Sequence, residues 1–240
     1  MITEKWHARS VVRKLAPWAA ALLLTPALPA TAQAEGLDGY PGVEGVLITE
    51  ASYNDPDGAH TVLLTFTPPY VTGRGTQASN NADVHAYDFV RQQGRLALKW
   101  KVLDYVHGCD LNTGLFAGFA PDAPIISDVD GDGWHEVWLP YYLGCHGDVS
   151  PDELKIIMYE KGRKHALRGH TRVEVDGGVY GGDYKADSNL SHAGRAIYDK
   201  AIEIFNAHRG ATDINWGDPG VEEPGGDGDP GVDDGNVITW

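Results

Sequence analysis

Ile125-Ile126-Ser127-Asp128-Val129-Asp130-Gly131-Asp132-Gly133-Trp134-His135-Glu136-Val137-Trp138-Leu139-Pro140-Tyr141-Tyr142 is the stretch around which the chain is organised. Three aspartates occupy positions 1, 3 and 5 of a loop, two glycines allow a tight turn, and Glu136 follows at position 9. A hard cation such as Ca²⁺ takes several oxygens at about 2.3–2.6 Å, and alternating acids on a curved backbone supply them from one short segment. An EF-hand would place Glu at position 12, where Leu139 stands, and would continue into a helix. Val137–Tyr142 has the apolar, aromatic character of a strand instead. The expectation is a calcium-type loop inside a β-hairpin, with Asp128, Asp130, Asp132, Trp134 and Glu136 as its metal set and structural calcium as the cofactor.

Outward from this loop, most of the chain repeats every two residues, the period of strands. Val43–Ser52 and His60–Thr67 flank the turn sequence Asn54-Asp-Pro-Asp-Gly58. Asp83–Arg91 and Leu96–Val106 flank Gln93-Gly94, and Leu96, Leu98, Trp100 and Val102 alternate as one apolar face. Leu154–Tyr159 and His165–Arg168 flank Lys161-Gly162. Consecutive hairpins predict a mainly-β, antiparallel architecture, either a sandwich or a partial propeller-like layout. The glycine-rich run Asp176–Asp183 lacks the lysine and the strand-to-helix setting of a phosphate loop, and its expected role is a flexible connector.

One helix interrupts the strands. Ile197, Ala201, Ile204 and Phe205 fall at i, i+4, i+7 and i+8, the apolar stripe of an amphipathic helix over about residues 191–209. Ser191 is its expected cap and Gly210 its stop.

The N-terminus points to export. Lys5, Arg9, Arg13 and Lys14 precede an apolar run from Ala16, and Ala32-Gln33-Ala34 has the small-x-small spacing of a signal-peptidase site. Residues 1–34 are expected to be a cleaved signal peptide, giving a periplasmic or extracellular protein with no membrane span in the mature chain. Residues 35–216 are then a single domain. Residues 217–240, rich in Asp, Gly and Pro and devoid of basic side chains, are expected to be a disordered acidic tail. The full chain has a formal charge of −15; cleavage would remove four of nineteen basic residues and one of thirty-four acids, leaving −18. A surface of that sign repels nucleic acid and anionic lipid and favours divalent cations.

Cys109 and Cys145 are the only cysteines, and an oxidising compartment predicts a disulfide between them. The flanking His107-Gly108-Cys109 and Cys145-His146-Gly147 would make a zinc- or copper-like set if the thiols were reduced, although the spacing fits no zinc-finger pattern.

The quoted loop resembles the calcium loops of FG-GAP and VCBS repeats. The longer stretch from Ile126 to Gly169, including Gly144-Cys-His-Gly-Asp-Val-Ser-Pro151, Lys155-Ile-Ile-Met-Tyr-Glu160 and Ala166-Leu-Arg-Gly169, resembles a bacterial exported-protein family described as surface polysaccharide biosynthesis proteins. That resemblance implies work at the cell envelope.

Catalytic signatures are sparse. His135-Glu136 lacks the second histidine of a zincin, and neither Gly-x-Ser-x-Gly nor Ser-x-x-Lys occurs. Asp104, Asp110, Asp148 and Asp152 are the acids from which a glycosidase-like pair would be drawn. Trp100, Trp134, Trp138, Tyr141 and Tyr142 would serve either as a sugar platform or as core, with alternation placing Trp134, Trp138 and Tyr142 on one face. Two classes of function follow: a non-enzymatic envelope or extracellular module that binds glycan or another protein, or an enzyme acting on surface polysaccharide. They separate on one feature, a concave pocket with two converging carboxylates apart from the metal ligands.

Overall fold

Three of the hairpin turns are two-residue X-Gly pairs, Gln93-Gly94, Lys161-Gly162 and Asp176-Gly177, in which both residues have positive φ. Such turns match the right-handed twist of paired strands, and glycine occupies the left-handed conformation without steric penalty. The computed structural model describes residues 37–111 and 114–210. The expected signal peptide and acidic tail lie outside the described residues.

Strands β1 (Val46–Asp55), β2 (Gly58–Thr72), β3 (Ser79–Gln92) and β4 (Arg95–Cys109) form an antiparallel sheet in sequence order. Strands β5 (Leu115–Phe119), β6 (Ile125–Ser127), β7 (Glu136–Cys145), β8 (Glu153–Glu160) and β9 (Arg163–His170) build a second sheet. β10 (Arg172–Val175) and β11 (Gly178–Gly181) pair with each other, and β12 (Tyr184–Ala186) joins the edge of β9. Helices α1 (Ser188–Ser191) and α2 (Arg195–His208) close the described chain.

The two large sheets pack face to face. Val62, Leu64, Val84, Ala86, Trp100 and Val102 of the first meet Phe119, Val137, Leu139, Tyr141, Ile157 and Tyr159 of the second. Trp100 stacks on Tyr159 with ring centroids 4.3 Å apart. The layout is therefore a sandwich rather than propeller-like blades. The outer face of the second sheet buries Trp138, Tyr142, Leu154, Ile156 and Met158 against Leu190, Ile197, Ala201, Ile204 and Phe205 of the helices. The outer face of the first sheet is partly covered by Leu37, Tyr40 and Val43, which pack on Leu63, Tyr87 and Phe89.

β7 is the centre of this arrangement, buried along its whole length except Cys145. Its central proline is accommodated by a break in the neighbouring strand. β6 pairs with β7 as far as Trp138, and β5 takes over at Tyr141. The Pro140 carbonyl faces that gap and accepts the Ala120 N–H at 2.9 Å, so the missing proline N–H leaves no ladder bond unmade.

Three details differ from the sequence reading. The alternation of Leu96, Leu98, Trp100 and Val102 is broken by a bulge, because Asp88 pairs with Trp100 while Phe89 pairs with Leu98. The extra residue, Lys99, sends Leu96 and Leu98 to the outer face and Trp100 and Val102 to the inner one. The helix starts at Arg195 rather than near Ser191, since Ser191 ends α1, whose cap is Asp187 accepting the Leu190 N–H at 2.8 Å. Gly194, with φ 95°, separates the two helices. The glycine-rich run is no loose connector: it contains the Asp176-Gly177 turn and strand β11.

Cys109 and Cys145 are bonded, with Cα atoms 5.8 Å apart, joining the end of β4 to the end of β7 and so one sheet to the other. The 36-residue separation predicts a stabilisation of about 4 kcal/mol from restriction of the unfolded chain. Cys109→Ser with Cys145→Ser is expected to lose roughly that amount in urea unfolding without changing the far-ultraviolet circular dichroism of the native state.

Candidate functional site

The loop Asp128–His135 joins β6 to β7, with Ser127 and Glu136 paired at its base. Gly131 and Gly133 have φ of 73° and 84°, which turns successive backbone N–H groups inward. The Asp132 N–H reaches Asp128 Oδ1 at 3.1 Å and Asp130 Oδ1 at 3.2 Å, and the Gly133 N–H reaches Asp128 Oδ2 at 3.1 Å. Trp134 enters through its own N–H, 2.9 Å from Asp132 Oδ1.

Glu136 is fully buried beneath these groups. The Ser127 hydroxyl donates to its Oε2 at 2.8 Å and the Val129 N–H at 3.1 Å, while the Trp138 indole N–H donates to Ser127 Oγ at 2.8 Å. Burial pushes the Glu136 carboxyl above its usual range despite these donors. Buried carboxylates require donors or cations, and this one has only neutral donors among its hydrogen bonds.

Two overlapping sets of carboxylates are close enough to hold a metal ion: Asp128, Asp130 and Glu136, and Asp130, Asp132 and Glu160. In each, one oxygen from every residue lies within 4.8 Å of the others. Four of the five residues expected from the sequence thus supply side-chain oxygens to these sets, and Trp134 contributes only its backbone N–H. Glu160 ends β8 and was not foreseen, because its approach depends on how β8 lies beside β7. Lys161 in the β8–β9 turn pairs with Asp132 and with Glu160, the latter at 2.7 Å. The Asp132 and Glu160 contacts raise the lysine's pKa, and the Lys161 contact lowers that of Asp132.

The loop is also fastened to the first sheet. Asp55, at the end of β1, accepts both the His135 N–H at 3.0 Å and the His135 ring nitrogen Nδ1 at 2.7 Å. Neighbouring Asp57 and His60, with the wholly buried Asp88 on β3, make a polar cluster that the sequence reading missed. Its only sequence trace is Asp55-Pro-Asp57-Gly-Ala-His60 at the first turn.

The five aromatic residues considered as a sugar platform divide otherwise. Trp138, Tyr141 and Tyr142 are fully buried and Trp100 nearly so, which makes them core. Trp134 leaves that face and lines a small cavity with Tyr53 and His135.

At the opposite end of β7 lies an open groove of about 550 Å³ beside the disulfide, walled by Tyr105, His107, His146, Asp152, Glu153 and His170. Tyr105 is half exposed and stacks on His107 with centroids 3.9 Å apart. His146 directs Nδ1 at the Asp148 carbonyl, 2.9 Å away, and Nε2 at Asp152. Burial lowers the histidine's pKa, but the Asp152 and Asp148 contacts outweigh it and the net shift is upward; burial raises Asp152. Since the cysteines are bonded, the mirrored His-Gly-Cys and Cys-His-Gly segments form no thiolate metal set.

Of the candidate acids, only Asp152 lines this groove. Asp110 is exposed, and Asp148 is exposed and accepts the Ser150 N–H at 3.0 Å, closing a local turn. Asp104 is held by the Tyr141 hydroxyl at 2.7 Å and Lys155 at 2.9 Å. No family model, curated protein or solved structure matches this chain.

Burial acts to raise the Asp104 pKa, but the Tyr141 and Lys155 contacts outweigh it and hold the carboxyl below its usual 3.8. A carboxyl depressed in the folded state adds stability above its unfolded pKa, and that contribution disappears as pH falls through the folded value. Asp104→Asn is expected to cost about 1.5–3 kcal/mol at neutral pH, the range for hydrogen bonds to charged groups. Its stability should fall less steeply than that of the parent protein between about pH 5 and pH 2, as urea unfolding across that range would record.

Proposed function

We propose that the protein is an exported, non-enzymatic module of the cell envelope or extracellular space, whose Asp128–Glu136 loop is set by calcium. The observation that carries this reading is the convergence of all-oxygen side chains on one glycine-bent loop above a fully buried Glu136. Calcium takes six to eight oxygen ligands, whereas zinc prefers nitrogen and sulfur, so the donor chemistry favours calcium. Location outside the cytoplasm is supported by the leader-like N-terminus and by the disulfide. Millimolar calcium is available there, enough for a weak single loop.

In this reading the ion is structural. It draws the β6–β7 loop, the end of β8 at Glu160 and, through Asp55 and His135, the end of β1 into one rigid corner. Calcium at ten times its dissociation constant is expected to stabilise the protein by about 1.4 kcal/mol, read as a rise in melting temperature. Asp130→Ala, which removes the carboxylate shared by both sets, should abolish that rise. No response up to about 10 mM calcium, beyond the weak extracellular range, would overturn the reading.

The binding surface is the groove beside the disulfide, where Tyr105 offers an exposed ring and three histidines and Asp152 offer polar edges suited to a glycan. The alternative, an enzyme acting on surface polysaccharide, is favoured by one observation, the contact of His146 with Asp152 in that groove. It is weakened because Glu153, the other acid there, pairs with Lys155 at 3.1 Å. A glycan array followed by calorimetry separates the two. Binding that Tyr105→Ala weakens about tenfold, with the bound oligosaccharide recovered intact, supports the module. Cleavage of the oligosaccharide that Asp152→Asn abolishes supports the enzyme.

A further inference from the structure

Beneath the β1–β2 turn, His60 sits between two carboxylates. Its Nδ1 lies 2.9 and 3.1 Å from the two oxygens of Asp88, which is fully buried. The Tyr53 hydroxyl, 3.3 Å from Asp88, is its other side-chain partner, and the Tyr53 ring stacks on the imidazole at 4.6 Å. The buried Asp88 carboxylate accepts a hydrogen bond from Nδ1, which fixes the ring and turns Nε2 to the other side. Nε2 points at Asp57 Oδ1, 2.8 Å away. His60 Nε2, an Asp57 oxygen and an Asp55 oxygen all lie within 4.8 Å of one another.

We propose that Asp55, Asp57 and His60 form a site for a first-row divalent cation of the zinc class, separate from the calcium loop and supported by Asp88. Four features carry this. A carboxylate that fixes the far nitrogen of a metal-ligating histidine is the usual support for such a ligand, orienting the ring and raising its basicity. The mixed nitrogen and carboxylate donors suit zinc and its neighbours and do not suit calcium. The cluster surrounds a cavity of about 10 Å³, the space of one water or ion. With a neutral His60, the carboxylates also outnumber the cationic side chains bonded to them. Asp55, Asp57 and Asp88 place three carboxylates here, and Lys99, 2.5 Å from Asp57 Oδ2, is the lysine bonded to them. Lys161 lines the same cavity, but its ammonium is taken by Asp132 and Glu160.

His135 Nδ1 lies 2.7 Å from Asp55 Oδ1 and holds that carboxylate from the loop preceding β7. Lys99 is at this position because of the β4 bulge, and it holds Asp57 through the oxygen that the histidine does not use. An ion here would lock the β1–β2 turn to the loop that precedes β7.

The test is titration of the chelator-treated protein with Zn²⁺ alone in a millimolar calcium buffer, which keeps the acidic loop from competing. Calorimetry gives the stoichiometry, and nitrogen-15 spectra of the histidine side chains give the ligand. One equivalent should bind, with the His60 Nε2 resonance moving first. Asp57→Asn should weaken binding at least about tenfold and Asp88→Asn by about 10–100-fold. Should Asp88→Asn fail to fold, Asp57→Asn, on the turn, still decides the matter. Unchanged zinc affinity in Asp57→Asn, or a first equivalent that moves His107, His146 or His170 instead, would overturn the site and leave the cluster as an ion-pair network.

Discussion

The burial of β7 on both faces is the constraint on which the rest depends. Leu139 and Tyr141 face the first sheet while Trp138 and Tyr142 face the helices, so one strand belongs to two cores at once. A strand in that position offers no polar face to water, which is why its sequence is a continuous apolar and aromatic run. It also has to be paired on both edges, and β8 does so on one side while β5 and β6 share the other. The metal-type loop grows from one end of this strand and the disulfide groove from the other. Both candidate sites are therefore held by the most buried strand of the fold.

Polar groups that enter this interior are spent in specific ways. Glu136 and Asp88 are carboxylates without solvent exposure, and each would be costly if unpartnered. Glu136 receives a hydroxyl and a backbone amide and faces the acidic loop. Asp88 receives a histidine and a tyrosine hydroxyl. Asp104 shows the third solution, a tyrosine hydroxyl and a lysine that bridge the sheets. In a chain with formal charge −15, such placements concentrate carboxylates where a cation gains most.

The two ends of β7 differ in character. The acidic corner is tight, cross-linked by Asp55 to His135 and by Lys161 to Asp132 and Glu160. The groove near Cys145 is wide and open, with Tyr105 and His107 stacked at its rim. Gly144 contributes to that shape, since a Cβ there would lie 2.2 Å from the Phe116 ring and 2.7 Å from Asp152 Oδ1. The acidic corner and the open groove thus lie at opposite ends of one buried strand.

The sequence by itself determined the local pieces. The Gln93-Gly94 and Lys161-Gly162 turns, the two-residue alternation, the helical stripe at Ile197, Ala201, Ile204 and Phe205, the Asp128–Glu136 loop and the pairing of the only two cysteines all depend on neighbouring residues or on simple elimination. Tertiary structure decided what those pieces face. Alternation tells which side of a strand is apolar, but not which sheet covers it, so sandwich and propeller-like layouts were equally legible. A single inserted residue, Lys99, reversed the sides of β4, and no periodicity marks a bulge. Glu160 reaches the acidic loop only because β8 lies beside β7. His60 and Asp88 meet across 28 residues, and Asp55 and His135 across 80. Contacts of that range are set by the packing of whole sheets, which is why the histidine–carboxylate cluster became visible only in three dimensions.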